Sequence, residues 1–150
     1  MTNWRDFDPA LAEVLVKLPD QGVLVISGEG GFMQFQRSGE AVTAEVGNES
    51  ADDEPRLRAR DWVQVDSWSG LWRRSFDHPA SGDAAATIVA EVTFALRNVW
   101  GWRSLDGFRY QSWREVNKRV LGLFPKTEER PLSWPALGLS QRQEGERIDD

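Results

Sequence analysis

The chain has 150 residues, with 18 basic and 24 acidic side chains, a net charge of −6 and no cysteine. This composition excludes disulfides, thiolate zinc sites and cysteine nucleophiles, and it lacks the basic face that nonspecific nucleic-acid binding needs. No apolar run approaches the roughly 20 residues of a membrane helix, and the start MTNWRDFDPAL lacks the basic-then-apolar layout of a signal peptide, so a cytoplasmic protein with no membrane or nucleic-acid partner is expected.

Trp4, Phe7, Leu11, Val14, Leu15 and Leu18 recur at helical spacing, with Asp8 and Pro9 as cap and first-turn pair and Pro19 as the stop. The run from Gly22 to Val46 then reads as an antiparallel meander of three strands joined by glycine-containing turns. Val23 to Ser27 is continuously apolar enough for a strand buried on both faces. Met33 and Phe35 oppose Gln34 and Gln36, and Val42, Ala44 and Val46 alternate with Thr43 and Glu45, as expected of strands with one wet face.

Residues 47–55 are polar and acidic and read as a loop. Arg56, Arg58 and Arg60 share one parity ahead of a fourth strand expected from about Trp62 to Trp68, and Leu71 to Phe76 reads as a fifth. Ser81 or Asp83 caps the strongest helix, from about Ala84 to Trp100, whose stripe is Ala85, Ile88, Val89, Val92, Leu96 and Val99, with Glu91 and Arg97 toward solvent. Phe108 to Ser112 suits a short strand, and Trp113 to Phe124 reads as a short C-terminal helix through Val116, Val120, Leu121 and Phe124. The expected fold is therefore α+β, with an antiparallel sheet of about five strands packed against an N-terminal and a long central helix. One domain spans 1–125, and residues 126–150 form an extended or disordered tail without regular structure. Within that tail Leu132, Trp134, Leu137 and Leu139, bracketed by Pro131 and Pro135, are apolar enough to dock on this domain or a neighbouring copy.

Eight tryptophans against one tyrosine and one histidine make indole the main apolar currency of the chain. Three exposed indoles would present on the order of 600 Å², close to the ~800 Å² one partner gives to a standard interface. Chemistry is less well signposted. His78, the only histidine, sits in a Phe-Asp-His-Pro turn and has no evident catalytic partners, so no catalytic residue is assigned. Asp52-Asp53-Glu54 lacks the loop spacing of a calcium site, and Gly28-Glu-Gly-Gly31 is a hairpin turn with no following helix to bind phosphate. No metal or cofactor is expected. Arg56, Arg58, Arg60, Arg73 and Arg74 form either a local phosphate or carboxylate site or the charged edge of a strand.

The order of elements, with Phe32-Met-Gln-Phe-Gln36, Ala44-Glu-Val-Gly-Asn48, Leu57, Trp68, Phe76 with Pro79, and Ala95-Leu-Arg97, resembles the TY-Chap and YbjN-like group of bacterial proteins, related in fold to class I type III secretion chaperones. The resemblance spans roughly residues 4–110 and departs at Val65 to Ser75, where Asp66-Ser-Trp68 and Ser75-Phe76 replace the Leu-Gly-Trp, proline and Asn-Phe pattern of the group. It implies a small acidic homodimer without catalysis of its own that holds a client polypeptide by strand addition and apolar pockets. Trp68, Trp72, Phe76, Trp100, Trp102 and Trp134 are the candidate partner-contacting residues, the alternative being sheet and helix core. A second reading is an immunity protein blocking a toxin enzyme, which an acidic surface suits equally. A third is a small-ligand or phosphate sensor built on the five arginines.

Overall fold

The computed structural model of the protein describes residues 3–48, 55–65, 70–120 and 124–142. Helix α1 runs from Trp4 to Lys17, one turn earlier than Asp8 as a cap would allow. Asn3 caps it instead, its Oδ1 accepting the Asp6 N–H at 2.9 Å, and Pro9 lies inside the helix at the cost of one backbone hydrogen bond. The meander forms as its alternation predicts: β1 (Gly22–Gly28), β2 (Gly31–Ser38) and β3 (Ala41–Asn48), with Gly28 opposite Gly31 and Gly30 at φ +88° closing the first turn. Such a φ carries little strain only for glycine.

Beyond the meander the chain departs from its local pattern. Arg56 and Arg58 lie on a short helix, α2 (Pro55–Arg58), which Pro55 opens, and Arg60 lies in the turn that follows, so the three do not line a strand. Of the expected fourth strand, the described residues form β4 (Val63–Gln64), which follows a turn at Asp61 with φ +68°. Residues 49–54 and 66–69, which hold the acidic run and Trp68, fall outside the described residues. Strand β5 (Leu71–Asp77) forms as expected, and α3 (Gly82–Thr93) is capped by Ser81 Oγ. From Phe94 to Val99 the helix widens into a π-helical segment in which the Trp100 N–H reaches Ala95 O at 3.1 Å.

The expected C-terminal helix is instead the 12-residue strand β6 (Arg109–Val120), hydrogen-bonded to β1 along Gly22–Ser27. Val116, Val120 and Phe124 are spaced by four, an even number, so the spacing fits one face of a strand as well as a helical stripe. The tail is not structureless. Strand β7 (Phe124–Pro131) pairs with β6, a 3₁₀ turn (Pro135–Leu137) follows, and β8 (Ser140–Gln141) joins β6 in parallel. Among the described residues the sheet thus has eight strands rather than about five, ordered β4-β5-β3-β2-β1-β6-β7 with β8 beside β6. Every pairing except β6 with β8 is antiparallel.

Phe7, Leu11 and Leu15 of α1 and Ile88, Val89 and Val92 of α3 form one core with Leu24, Ile26, Met33, Phe35, Val46 and Trp72 of the sheet. These sheet residues share a single face in register. Val23 and Val25 point to the other face and stand outside that core, yet are only 3% and 4% exposed. The helices therefore cover one side of the sheet.

Candidate functional site

The second face of the sheet is built from the alternate residues of five strands. In register, Val23 lies between Gln36 and Trp113, and Val25 between Gln34 and Gln111. Thr43, Glu45, Arg73 and Ser75 continue the rows outward. Phe32 lies over Gly47, where an added Cβ would meet its Cε1 at 2.5 Å, so glycine there is what allows the ring to lie flat. Near Phe32 a shallow cavity of about 330 Å³ is lined by Ser27, Gly28, Asn48 and Arg142. The centre of this face is uncharged in a chain of net charge −6. Charge enters toward its margins, where Arg73 pairs with Glu45 at 2.8 Å, Arg109 stands in register with Ser27 and Arg142 lines the cavity. Among the described residues Ser27 Oγ and Trp113 Nε1 on this face, and Arg142 Nε of the cavity lining, are buried without a hydrogen-bond partner.

Half of this face was visible in the Gln34 and Gln36 alternation. Gln111 falls in the short strand expected at Phe108 to Ser112, whereas Trp113 is hidden by the helical reading of 113–124; its signal is the alternation of Tyr110 and Ser112 with Gln111 and Trp113.

The five arginines do not gather at one point, although Arg73 and Arg74 both line a cavity of about 340 Å³ with Asp61, Gln64 and Ser75. Arg60 forks onto Glu91, Nε to Oε2 at 3.0 Å and Nη2 to Oε1 at 2.8 Å, and Arg74 adds Nη1 to Oε2 at 3.0 Å. Glu91, expected to face solvent, is thus the acceptor that ties the turn after α2 and strand β5 to α3. Its hydrogen bonds raise the Arg60 pKa. Arg74 also donates to Arg60 O at 2.8 Å and lies 4.8 Å over the Phe76 ring, while Arg60 lies 4.1 Å over Phe94. Arg58 lies 5.1 Å over Trp72 and donates to Gln64 Oε1, and Arg56 reaches Asn98 O and Val99 O at the end of the π segment. Arg73 is on the opposite face with Glu45.

The tryptophans and Phe76 singled out for partner contact lie on the helix side of the sheet where they are described. Trp72 is 1% exposed and belongs to the core. Phe76, Trp100, Trp102 and Trp134 are half-buried against that core. Trp102 stacks on Phe108 with centroids 4.9 Å apart and closes over Gly31. Trp134 donates through Nε1 to Ser112 Oγ at 2.9 Å. His78 Nε2 lies 3.2 Å from Leu15 O and its backbone N–H donates to Glu40 O, which fastens the end of β5 to α1 and β3. Among the described residues no group of three His, Asp or Glu side chains is placed to hold a metal ion, and no helix is long and apolar enough to cross a membrane. Asp8 carries a raised pKa because burial disfavours its charge, opposed in part by Arg97.

Among the described residues the geometry offers a sheet face with an uncharged centre on one side and half-buried aromatic rings on the other. The model of the TY-Chap3 family, whose members are described as T3SS (YopN, CesT) and YbjN peptide-binding chaperone 3, matches residues 1–114. The chain belongs to this family. No curated protein and no solved structure matches the chain. The TY-Chap3 match ends within β6, so it takes in α1, α2 and α3, the meander and the residues of the uncharged face up to Trp113, and it leaves β7 and the segment after it outside.

Proposed function

We propose that this TY-Chap3 protein is a non-enzymatic chaperone-like module that holds an extended client polypeptide against the uncharged face of its sheet, acting as a cytoplasmic homodimer. The observation that carries the reading is the one-sided layering: α1 and α3 cover the Leu24 and Ile26 side, while the Val23 and Val25 side presents a neutral strip. Phe32 and Trp113 supply aromatic contact, and Gln34, Gln36 and Gln111 supply donors and acceptors for a client backbone. A client long enough to round a sheet edge also meets the accessible parts of Phe76, Trp100, Trp102 and Trp134. The arginines serve the fold rather than an anion, since Glu91 and Glu45 answer three of them.

The experiment is to purify the tagged full chain from its host, measure its mass in solution, identify what accompanies it, and repeat with Gln34→Arg and Trp113→Ala. A dimer with a polypeptide that is lost from both variants, their melting temperatures being unchanged, is the expected result. A lone monomer without a polypeptide refutes the chaperone reading, retention in both variants refutes the sheet face as its site, and a nuclease or peptidase toxin as the companion selects the immunity reading.

A further inference from the structure

The outer edge of β6, on the side away from β1, is shared by two partners. Strand β7 takes residues 113–120, and β8 takes only Arg109 and Tyr110, in parallel. Between them residues 132–139 leave the edge and pass over the helix side of the sheet, dropping Leu137 to 1% exposure against the core that α1 helps to form.

The contacts that hold this segment are those of a docked peptide. The Leu132 N–H donates to Ser112 O at 2.9 Å and the Arg142 N–H to Tyr110 O at 2.7 Å, both on the strand edge. The Trp134 N–H donates to the Tyr110 hydroxyl at 2.8 Å, and the indole N–H to Ser112 Oγ. Anchors alternate with exposed residues: Pro131, Ser133, Pro135, Ala136, Gly138 and Ser140 all face solvent. A strand belonging to the core would bury one side continuously, whereas main-chain bonds to an edge plus a few side-chain pockets is how sheets recognise extended ligands. The groove side is inside the family match, which includes Tyr110 and Ser112, and the segment that fills it is outside.

We propose that the groove beside Tyr110 and Ser112 is a second binding site, for an extended peptide carrying an apolar Trp-x-x-Leu pair, and that residues 131–142 are its tethered resident. The tether supplies an effective concentration in the millimolar range, so a peptide in trans enters only when it outcompetes the strap or when the strap is weakened. This groove lies on the helix side of the sheet and meets the uncharged face only at Arg142, which lines the cavity near Phe32, so either site can fail without the other.

The test uses a fluorescein-labelled synthetic peptide of residues 130–142 and the full chain. Wild type and the Trp134→Ala/Leu137→Ala variant are titrated by fluorescence anisotropy, with circular dichroism as the check on folding. At least tenfold tighter binding to the variant is expected, because its own strap no longer competes; equal affinity, or no binding to a folded variant, overturns the proposal. Hydrogen exchange on the wild-type chain decides the matter even where the variant fails to fold. The amides of Leu132, Trp134 and Arg142 should exchange at least tenfold faster than those of the β1 and β2 ladder, and faster again with excess peptide. Exchange at the same rate as that ladder shows that the strap leaves only when the whole domain unfolds, and the proposal falls.

Discussion

Glu91 offers the sharpest test of whether the arginines are structural. Its side chain is 15% exposed and accepts from Arg60 and Arg74, whose side chains are 41% and 24% exposed. An exposed ion pair is worth about 0–1 kcal/mol, whereas breaking a buried one costs about 3–5 kcal/mol. The partial exposure of both guanidinium groups places Glu91→Ala between these limits, so a loss of about 1–3 kcal/mol is expected in urea denaturation, with an unchanged m-value. The same substitution leaves two guanidinium groups a short distance apart with no carboxylate between them. Thermal denaturation of the variant should therefore become sensitive to added phosphate, with the melting temperature rising as phosphate is titrated, while wild type responds only to ionic strength. A loss under about 0.5 kcal/mol, or a phosphate-specific stabilisation of wild type equal to that of the variant, would show that Glu91 does not occupy the arginines and would restore the anion-sensor reading.

Three further outcomes follow from single contacts. Gly31→Ala drives a Cβ into the Trp102 ring and to 2.5 Å from Gly47 O, and should cost about 1–3 kcal/mol through overpacking against a backbone that cannot yield; Gly30→Ala, with open space but φ +88°, should cost less, about 1 kcal/mol, and the reverse order in urea titrations would contradict the packing account. Ser112→Ala removes the acceptor of the Trp134 indole N–H and the donor to Val23 O, so a loss of about 1–3 kcal/mol and faster amide exchange at Trp134 are expected. Because burial raises the Asp8 pKa, the folded protein holds that proton more tightly than the unfolded chain, and stability contributed by this site falls as pH rises through the raised value and recovers as pH drops toward 3.8. Asp8→Asn should melt above wild type at pH 7, with the difference shrinking toward pH 4; a difference that grows on acidification would mean the sign is wrong.

Much of the fold was legible because its signals are local. The meander announces itself through period-2 alternation between glycines, and α3 through a 3.6-residue stripe behind a serine cap. The misreadings share a cause. A spacing of four at Val116, Val120 and Phe124 satisfies both periods, and what selects the strand is pairing: residues 109–114 join β1, where Ser112 donates to Val23 O 89 residues earlier, and residues 113–120 pair with β7. The alternate arginines likewise satisfy a strand pattern until Pro55 opens a helix and Asp61 turns the chain. Of the candidate surface, Gln34 and Gln36 were readable on β2, but Gln111 and Trp113 join them only because β6 docks on the far side of β1.

The sequence by itself determined what each segment tends to form and what the chain cannot do: without cysteine there is no thiol chemistry, and with net charge −6 there is little attraction for nucleic acid. Tertiary structure decided which groups meet. Glu91 lies 31 residues from Arg60 and Glu45 lies 28 from Arg73, so no local pattern reveals that these charges are already answered. The same holds for the indoles, since tryptophan suits core and interface alike. Burial is a property of what the rest of the chain places around a ring, and for Trp72 it was the stacking of β5 beneath α3 and Arg58 that made it core.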